Sequence, residues 1–183
     1  MSDLLQGRRL VLRLLSEGDG EALFASVDSS REGLKRRLRW VRDVVSVEDS
    51  RSFIRACSEA RCRGEREDFG VFEARSGVLV GVASLQSLLV VPGLAEFSLW
   101  IRADRQSRGY GLEAGRLLIA RAFRHDALKK LYSRLHPTNR VARKMLQRAG
   151  FRYEGCLRRD KRLNGRWIDQ ECWGLLRSEW KRK

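Results

Sequence analysis

Between positions 106 and 111 the chain reads Gln106-Ser107-Arg108-Gly109-Tyr110-Gly111, a spacing in which two glycines let backbone N–H groups turn toward one anion. If a strand precedes this segment and a helix follows it, the anion meets the positive end of the helix, and a pyrophosphate fits such a place. It is not a Walker A loop, because no Gly-Lys-Ser/Thr follows, nor the G-x-G-x-x-G of a dinucleotide fold. Alone, a Gly-x-Gly turn reads equally well as a tight connection between two elements. Cys57, Cys62, Cys156 and Cys172 form no C-x-x-C pair, and none lies at ligand spacing from His125 or His136, so no metal is expected. The cysteines read as reduced thiols of a cytoplasmic protein, and His136, just before Pro137, as structural or exposed.

The elements that must position the loop follow from hydrophobic periodicity. Residues 8–14 alternate like a first strand, and Ser16-Glu17-Gly18-Asp19 offers a polar helix start. Two or three helices fill roughly 17–64, the last opened by Ser46-Val47-Glu48-Asp49, a serine cap followed by acids. Strand-like runs follow at 69–73, 78–86 and 95–101, with turns at Arg75-Ser76-Gly77 and Pro92-Gly93. A helix over about 110–125 keeps Ala114, Leu117, Leu118 and Ala122 on one face. A short strand at 131–135 stops at Pro137-Thr138-Asn139, which begins a helix with apolar positions Val141, Met145, Leu146 and Ala149. Gly150 closes that helix, and Asn164-Gly165 joins a final hairpin of strands at roughly 151–162 and 166–176. This order implies an α/β or α+β mixed sheet with helices packed on it.

A chain of 183 residues, 43% of them hydrophobic, can bury one core and is short for two, so positions 1–183 read as a single domain with its core at about 8–180. Charged residues break every apolar run before the roughly 20 residues of a membrane span, and no leader is evident, so no membrane contact is expected. Thirty-eight Lys and Arg against 23 Asp and Glu give a net charge of +15, which favours phosphate-rich or acidic partners without naming one. The cations are spread along the chain, and no aromatic-interleaved element of a nucleic-acid module stands out. Trp40, Trp100, Trp167, Trp173 and Trp180 read as core or hairpin packing.

The region as a whole resembles the GNAT superfamily of N-acetyltransferases, whose signature is Gln or Arg, two variable residues, Gly, one variable residue, then Gly or Ala. Gln106 to Gly111 matches every fixed position. Upstream, Glu96-Phe97-Ser98-Leu99-Trp100-Ile101 is similar to a strand of the RimJ/RimL-type branch, which acetylates the N-termini of ribosomal proteins. Downstream, Asn139-Arg140-Val141-Ala142 through Gly150-Phe151, Glu154-Gly155-Cys156-Leu157-Arg158 and Leu163 through Asp169 resemble the same branch. Leu38-Arg39-Trp40 and Ser46 through Ser50 look like its substrate-side helices, so the likeness spans nearly the whole chain.

That resemblance implies a mixed, mostly antiparallel seven-stranded sheet that splays at its centre. It implies acetyl-CoA as cosubstrate, with pantetheine against Leu99, Trp100 and Ile101 and the pyrophosphate on the N–H groups of Gln106, Ser107, Arg108, Gly109, Tyr110 and Gly111. Arg105 or Arg108 would add charge, Asn139 would reach the cofactor or simply cap its helix, and Trp40 would lie near the acceptor mouth. Glu96 is the expected general base, and a backbone N–H near Leu99 or Trp100 would hold the developing oxyanion. Glu113 is the second candidate base, though an acid in a first helical turn also suits the macrodipole. Asp169 matches a branch position but could pair with Arg166 across the hairpin. Ala142 and Leu146 stand where relatives carry Ser or Tyr and cannot protonate a thiolate. Water, Tyr110 or no acid at all would then serve, since a thiol of pKa about 8.5 leaves readily.

The expected activity is direct transfer of acetyl to a primary amine in a ternary complex, with no cysteine nucleophile. The acceptor would be a protein N-terminus, such as that of a ribosomal protein, with RNA attracted by the charge and homodimerisation as in many relatives. Two alternatives differ: a small-amine acetyltransferase acting on a polyamine, aminoglycoside or other antibiotic, and a non-catalytic acyl-CoA- or RNA-associating module. A cationic small amine would need carboxylates clustered at the acceptor mouth.

Overall fold

A computed structural model of the chain describes residues 4–36, 38–124, 127–163 and 165–180. Among them is one sheet of eight strands in the order β1-β2-β3-β4-β5-β6-β8-β7. The strands are β1 (Leu4–Gln6), β2 (Leu10–Leu14), β3 (Glu67–Glu73), β4 (Leu79–Gln86), β5 (Leu94–Ile101), β6 (Lys130–Leu135), β7 (Arg152–Leu163) and β8 (Arg166–Leu176). The helices are α1 (Gly20–Asp28), α2 (Arg31–Leu34), α3 (Val47–Cys62), α4 (Tyr110–Ala122) and α5 (Arg140–Ala149). His125 and Asn164 lie outside the described residues, while Leu163 and Arg166 on either side of Asn164 pair as the hairpin reading requires.

The eighth strand corrects the expectation of seven. β1 is three residues long and buries only Leu5, too little for an alternating pattern to declare itself. β3 begins at Glu67 instead of Phe69, because Asp68 is buried in the strand: Arg66 binds both its carboxylate oxygens at 2.6 Å, and Ser84 donates to it at 2.6 Å. A buried carboxylate held by a guanidinium and a hydroxyl is tolerated where an unpaired one is not. α4 ends at Ala122, three residues short of the expected end.

Local signals account for the helix boundaries. Ser46 and Asp49 cap α3 reciprocally: Ser46 Oγ accepts from Asp49 N at 3.2 Å, and Asp49 Oδ2 accepts from Ser46 N at 2.8 Å. Asn139 Oδ1 accepts from Ala142 N at 3.2 Å to start α5, and Gly150, at φ 103°, ends it.

Two apolar clusters sandwich the sheet. One joins Leu10, Phe69, Val80, Phe97 and Leu131 to Ala114, Leu118 and Ala122 of α4 and Leu146 of α5. The other joins Phe72, Leu79 and Val82 to Leu23 and Val27 of α1 and Ile54 of α3, with Trp40, Phe53 and Trp100 packed against it. Val141, expected on the apolar side of α5, is 66% exposed: the helix commits Leu146 to the core, and Val141 lies five residues away, well around the helix. Trp167, expected to pack, is exposed on the outer hairpin.

Candidate active site

β5 carries the site because it changes partners along its length. It pairs antiparallel with β4 from Glu96 to Ile101, but parallel with β6 only at Leu94↔Lys130, Ala95↔Leu131 and Glu96↔Tyr132. β6 runs on beside β8 as far as Leu135↔Glu171. Phe97–Ile101 and Ser133–Leu135 therefore part from one another and leave a gap in the sheet.

The backbone groups facing that gap follow from the ladder. Arg102 N donates to Val80 O at 2.8 Å, which continues the β4–β5 register. Antiparallel bonding alternates, so Ser98 and Trp100 bond to β4, while Phe97, Leu99 and Ile101 turn their N–H and C=O groups toward the gap. The Ile101 carbonyl is taken by Gln106 Nε2 at 2.9 Å, which ties the glycine loop to the end of β5. β5 can lie this close to β4 because residue 81 is glycine: a Cβ there would stand 2.1 Å from Trp100 O.

The loop is braced from several sides. Ser107 has φ 61° and Gly109 φ 79°, both left-handed, and the first helical bond is Glu113 N to Gly109 O at 3.1 Å. Among the described residues the N–H groups from Ser107 to Leu112 meet no acceptor. Arg9 Nη1 donates to Arg108 O at 2.8 Å, and its guanidinium sits 5.1 Å over the Tyr110 ring. Tyr110 donates its hydroxyl to Glu73 Oε1 at 3.1 Å, and Arg105 Nε lies 3.3 Å from the same oxygen. The Ser76 hydroxyl foremost, then Tyr110 and the charges of Arg105 and Arg108, hold the Glu73 carboxyl below its usual value against the opposing effect of burial. Tyr110 is thus an anchor of the loop. Arg108 is exposed and has no ion pair among the described residues.

Glu113 is an anchor as well. Its Oε1 accepts from Arg9 N at 2.7 Å and Leu10 N at 3.2 Å, and its Oε2 from Arg9 Nε at 2.9 Å. Burial alone would raise its pKa, but the Arg9 N–H, the Arg9 guanidinium and the Leu10 N–H bring it below the usual value. A carboxylate so committed is a poor proton acceptor.

On the opposite face of β5 from α4, alternation aligns Glu96, Ser98 and Trp100. Glu96 is half-buried and makes no hydrogen bond or ion pair among the described residues. Trp40 stacks on Phe53 at 4.8 Å between ring centroids and lies 6.2 Å from Trp100, so α3 and the preceding turn bring it to this face. Asn139 keeps its Nδ2 free of the cap it makes. His136 Nδ1 accepts from Thr138 N at 3.2 Å, a turn-forming contact. Leu146, at 1% exposure, is core. Asp169 does not pair with Arg166: its Oδ1 accepts from Arg159 N at 2.9 Å.

Sequence reasoning misses a cavity of about 320 Å³ bordered by Leu94, Lys130, Tyr132, Arg134, Glu154 and Cys172. Tyr132 faces Glu96 across the last β5–β6 rung. Among the described residues one carboxylate borders the cavity, that of Glu154, and it is held by Lys130 at 2.7 Å. No sequence signal marks this cavity, because its lining is drawn from a loop and four strands.

Comparison with known proteins gives these features a context. The acetyltransferase (GNAT) domain family matches residues 9–152. A probable N-acetyltransferase of Bacillus subtilis (strain 168), YjcK, is 27% identical over 94% of this chain and 97% of its own length. The ribosomal-protein-serine acetyltransferase of Escherichia coli (strain K12) is 25% identical over 87% of this chain and 88% of its own. Among solved structures, RimL, a ribosomal L7/L12 alpha-N-protein acetyltransferase in complex with coenzyme A, superimposes with a TM-score of 0.87 at 21% identity, covering 94% of this chain and 97% of that one.

Proposed function

The chain belongs to the GNAT acetyltransferase family, and we propose that it transfers acetyl from acetyl-CoA to the N-terminal α-amine of a protein, a ribosomal protein in the first instance. The observation that carries this reading is the opening of the sheet between β5 and β6 beside a loop whose N–H groups lack acceptors. That loop fits a diphosphate: its donors lie at the start of α4, and Arg108, exposed and without an ion pair among the described residues, adds charge. Acetyl-CoA supplies the electrophilic thioester. Along the gap, the C=O of Leu99 and the N–H of Ile101 suit an extended amide-bearing chain such as pantetheine, with Asn139 Nδ2 as a further donor.

Glu96 acts as the base, taking the proton of the acceptor ammonium directly or through a water so that an uncharged amine attacks the thioester carbonyl. The tetrahedral intermediate then collapses, the C–S bond breaks and coenzyme A leaves as a thiolate, which needs no protein acid. The Leu99 N–H is the donor placed to hold the oxyanion, in preference to that of Trp100, whose backbone bonds to β4. Trp40 and Trp100 form an aromatic wall on the side from which the amine approaches. The likeness to ribosomal-protein acetyltransferases favours a protein N-terminus over a polyamine or aminoglycoside.

The test is thiol release from acetyl-CoA against a panel of N-terminal peptides, polyamines and aminoglycosides. Turnover confined to peptides supports the reading. Turnover confined to small cationic amines overturns the acceptor assignment, and acetyl-CoA binding without any turnover overturns the catalytic one.

A further inference from the structure

Several arginines are spent on carboxylates: Arg13 on Asp19, Arg66 on Asp68, Arg121 on Glu67 and Arg143 on Glu171, at 2.5–2.7 Å. The outer hairpin of β7 and β8 is different. Arg158, Arg159, Lys161, Arg162 and Arg166 have no ion pair among the described residues. The acids beside them are committed elsewhere: Asp160 lies 4.0 Å from Arg134, and Asp169 accepts from the Arg159 N–H. Five cations thus stand within the nine positions 158–166.

The hairpin's shape turns these groups outward. Register jumps from Leu157↔Gln170 to Lys161↔Ile168, so Arg158, Arg159 and Asp160 bulge out of β7, with Arg159 at φ 50°. Beyond the bulge, Arg162 stands directly opposite Trp167, and alternation puts both on the face away from buried Leu163. Trp167 is 61% exposed, and among the described residues neither an aromatic ring nor a guanidinium covers it. Cations alone on an edge strand would be explained as a guard against edge-to-edge pairing. An exposed indole among them is not, since it costs burial and invites contact.

We propose that this hairpin binds a single-stranded segment of RNA, with phosphates on Arg158, Arg159 and Arg162 and one base stacked on Trp167. Arginine is the cation suited to phosphate, and an indole face takes any base without sequence preference. A single strand is specified because a duplex keeps its bases stacked on one another. The choice of RNA over DNA rests on the ribosomal reading above, while the surface itself suits either.

Anisotropy of a short fluorescein-labelled oligoribonucleotide, titrated with the full chain over a range of salt, tests this. Trp167→Ala should weaken binding on the order of tenfold, and Trp167→Phe much less. Arg158→Ala/Arg159→Ala should lower the slope of log affinity against log salt by roughly one for each phosphate that the variant no longer neutralises. Thermal melting confirms that each variant folds, and should Trp167→Ala fail to fold, Trp167→Phe and the double arginine variant still carry the test. The proposal is overturned if neither change alters binding, if a duplex binds as tightly as the single strand, or if anionic phosphatidylglycerol vesicles are bound and RNA is not. Tighter binding to the DNA of the same sequence overturns the assignment to RNA. The readout is independent of acetyl transfer, so failure of one proposal is distinguishable from failure of the other.

Discussion

Glu96 and Tyr132 face each other on the last rung that joins the fifth strand to the sixth. The carboxylate therefore stands where the sheet opens, half-buried and without a partner among the described residues. Exchange for Gln keeps shape and removes proton affinity, so Glu96→Gln should lower kcat by roughly 100- to 10,000-fold. Acetyl-CoA affinity, measured by calorimetry, should stay near that of the wild type. A kcat close to wild type would assign the base elsewhere.

Gly109 holds φ 79° at the start of α4, and a Cβ there would meet Arg9 Nη2 at 3.2 Å. Gly109→Ala should cost about 1–2 kcal/mol of stability from the left-handed conformation alone. The loop should shift with it, so acetyl-CoA should bind more weakly in calorimetry while Tm falls. Unchanged affinity would mean that the loop does not hold the cofactor.

Glu113 has a folded-state pKa below its unfolded value, so its contribution to stability is present in full above the unfolded value of 4.5. It disappears as pH falls through the lower folded value. Urea melts of the wild type and Glu113→Gln should differ at neutral pH, with the wild type more stable, and converge on acidification below about 4.5. A difference that persists at strongly acid pH would argue against the carboxylate as the anchor.

Burial, aided by the nearby Asp68 carboxylate and opposed by Arg66, pushes the Cys57 thiol up to about 12. At pH 8 it is almost entirely protonated and shielded, whereas Cys62 and Cys156 are exposed. Iodoacetamide on the native protein, followed by peptide mass spectrometry, should label Cys62 and Cys156 and spare Cys57. Labelling of Cys57 at a similar rate would show that α3 opens from β3.

The loop at Gln106–Gly111 is legible in the sequence because its signals are local: glycines at a fixed spacing, a strand before and a helical period after. Ser46, Asn139 and Gly150 are legible as helix boundaries for the same reason. What stays hidden depends on register and on distant partners. Arg66 stands two residues from Asp68, but nothing in the sequence announces that Ser84, from the next strand, will help to hold that carboxylate inside the sheet. Proximity assigns Asp169 to Arg166, but a bulge in β7 brings the Arg159 amide to it instead. Glu113 fits a general rule about helix ends, while its actual partners lie about a hundred positions earlier in β2 and the turn before it. The uncovered face of Trp167 is equally invisible, since an alternating strand carries packed and exposed indoles in the same pattern.

β5 and β6 share just three rungs, yet they are the seam between the first five strands and the last three. The halves also touch through one common core, as where Phe97 meets Phe151 at 5.2 Å, but across the gap itself the backbone is left unbonded. A ligand laid along Leu99 and Ile101 would act as a surrogate strand and close the ladder. Ligand occupancy would then govern how cooperatively the two halves melt: hydrogen exchange at β6 should slow on loading, and an uncoupled late phase in unfolding should merge with the main transition.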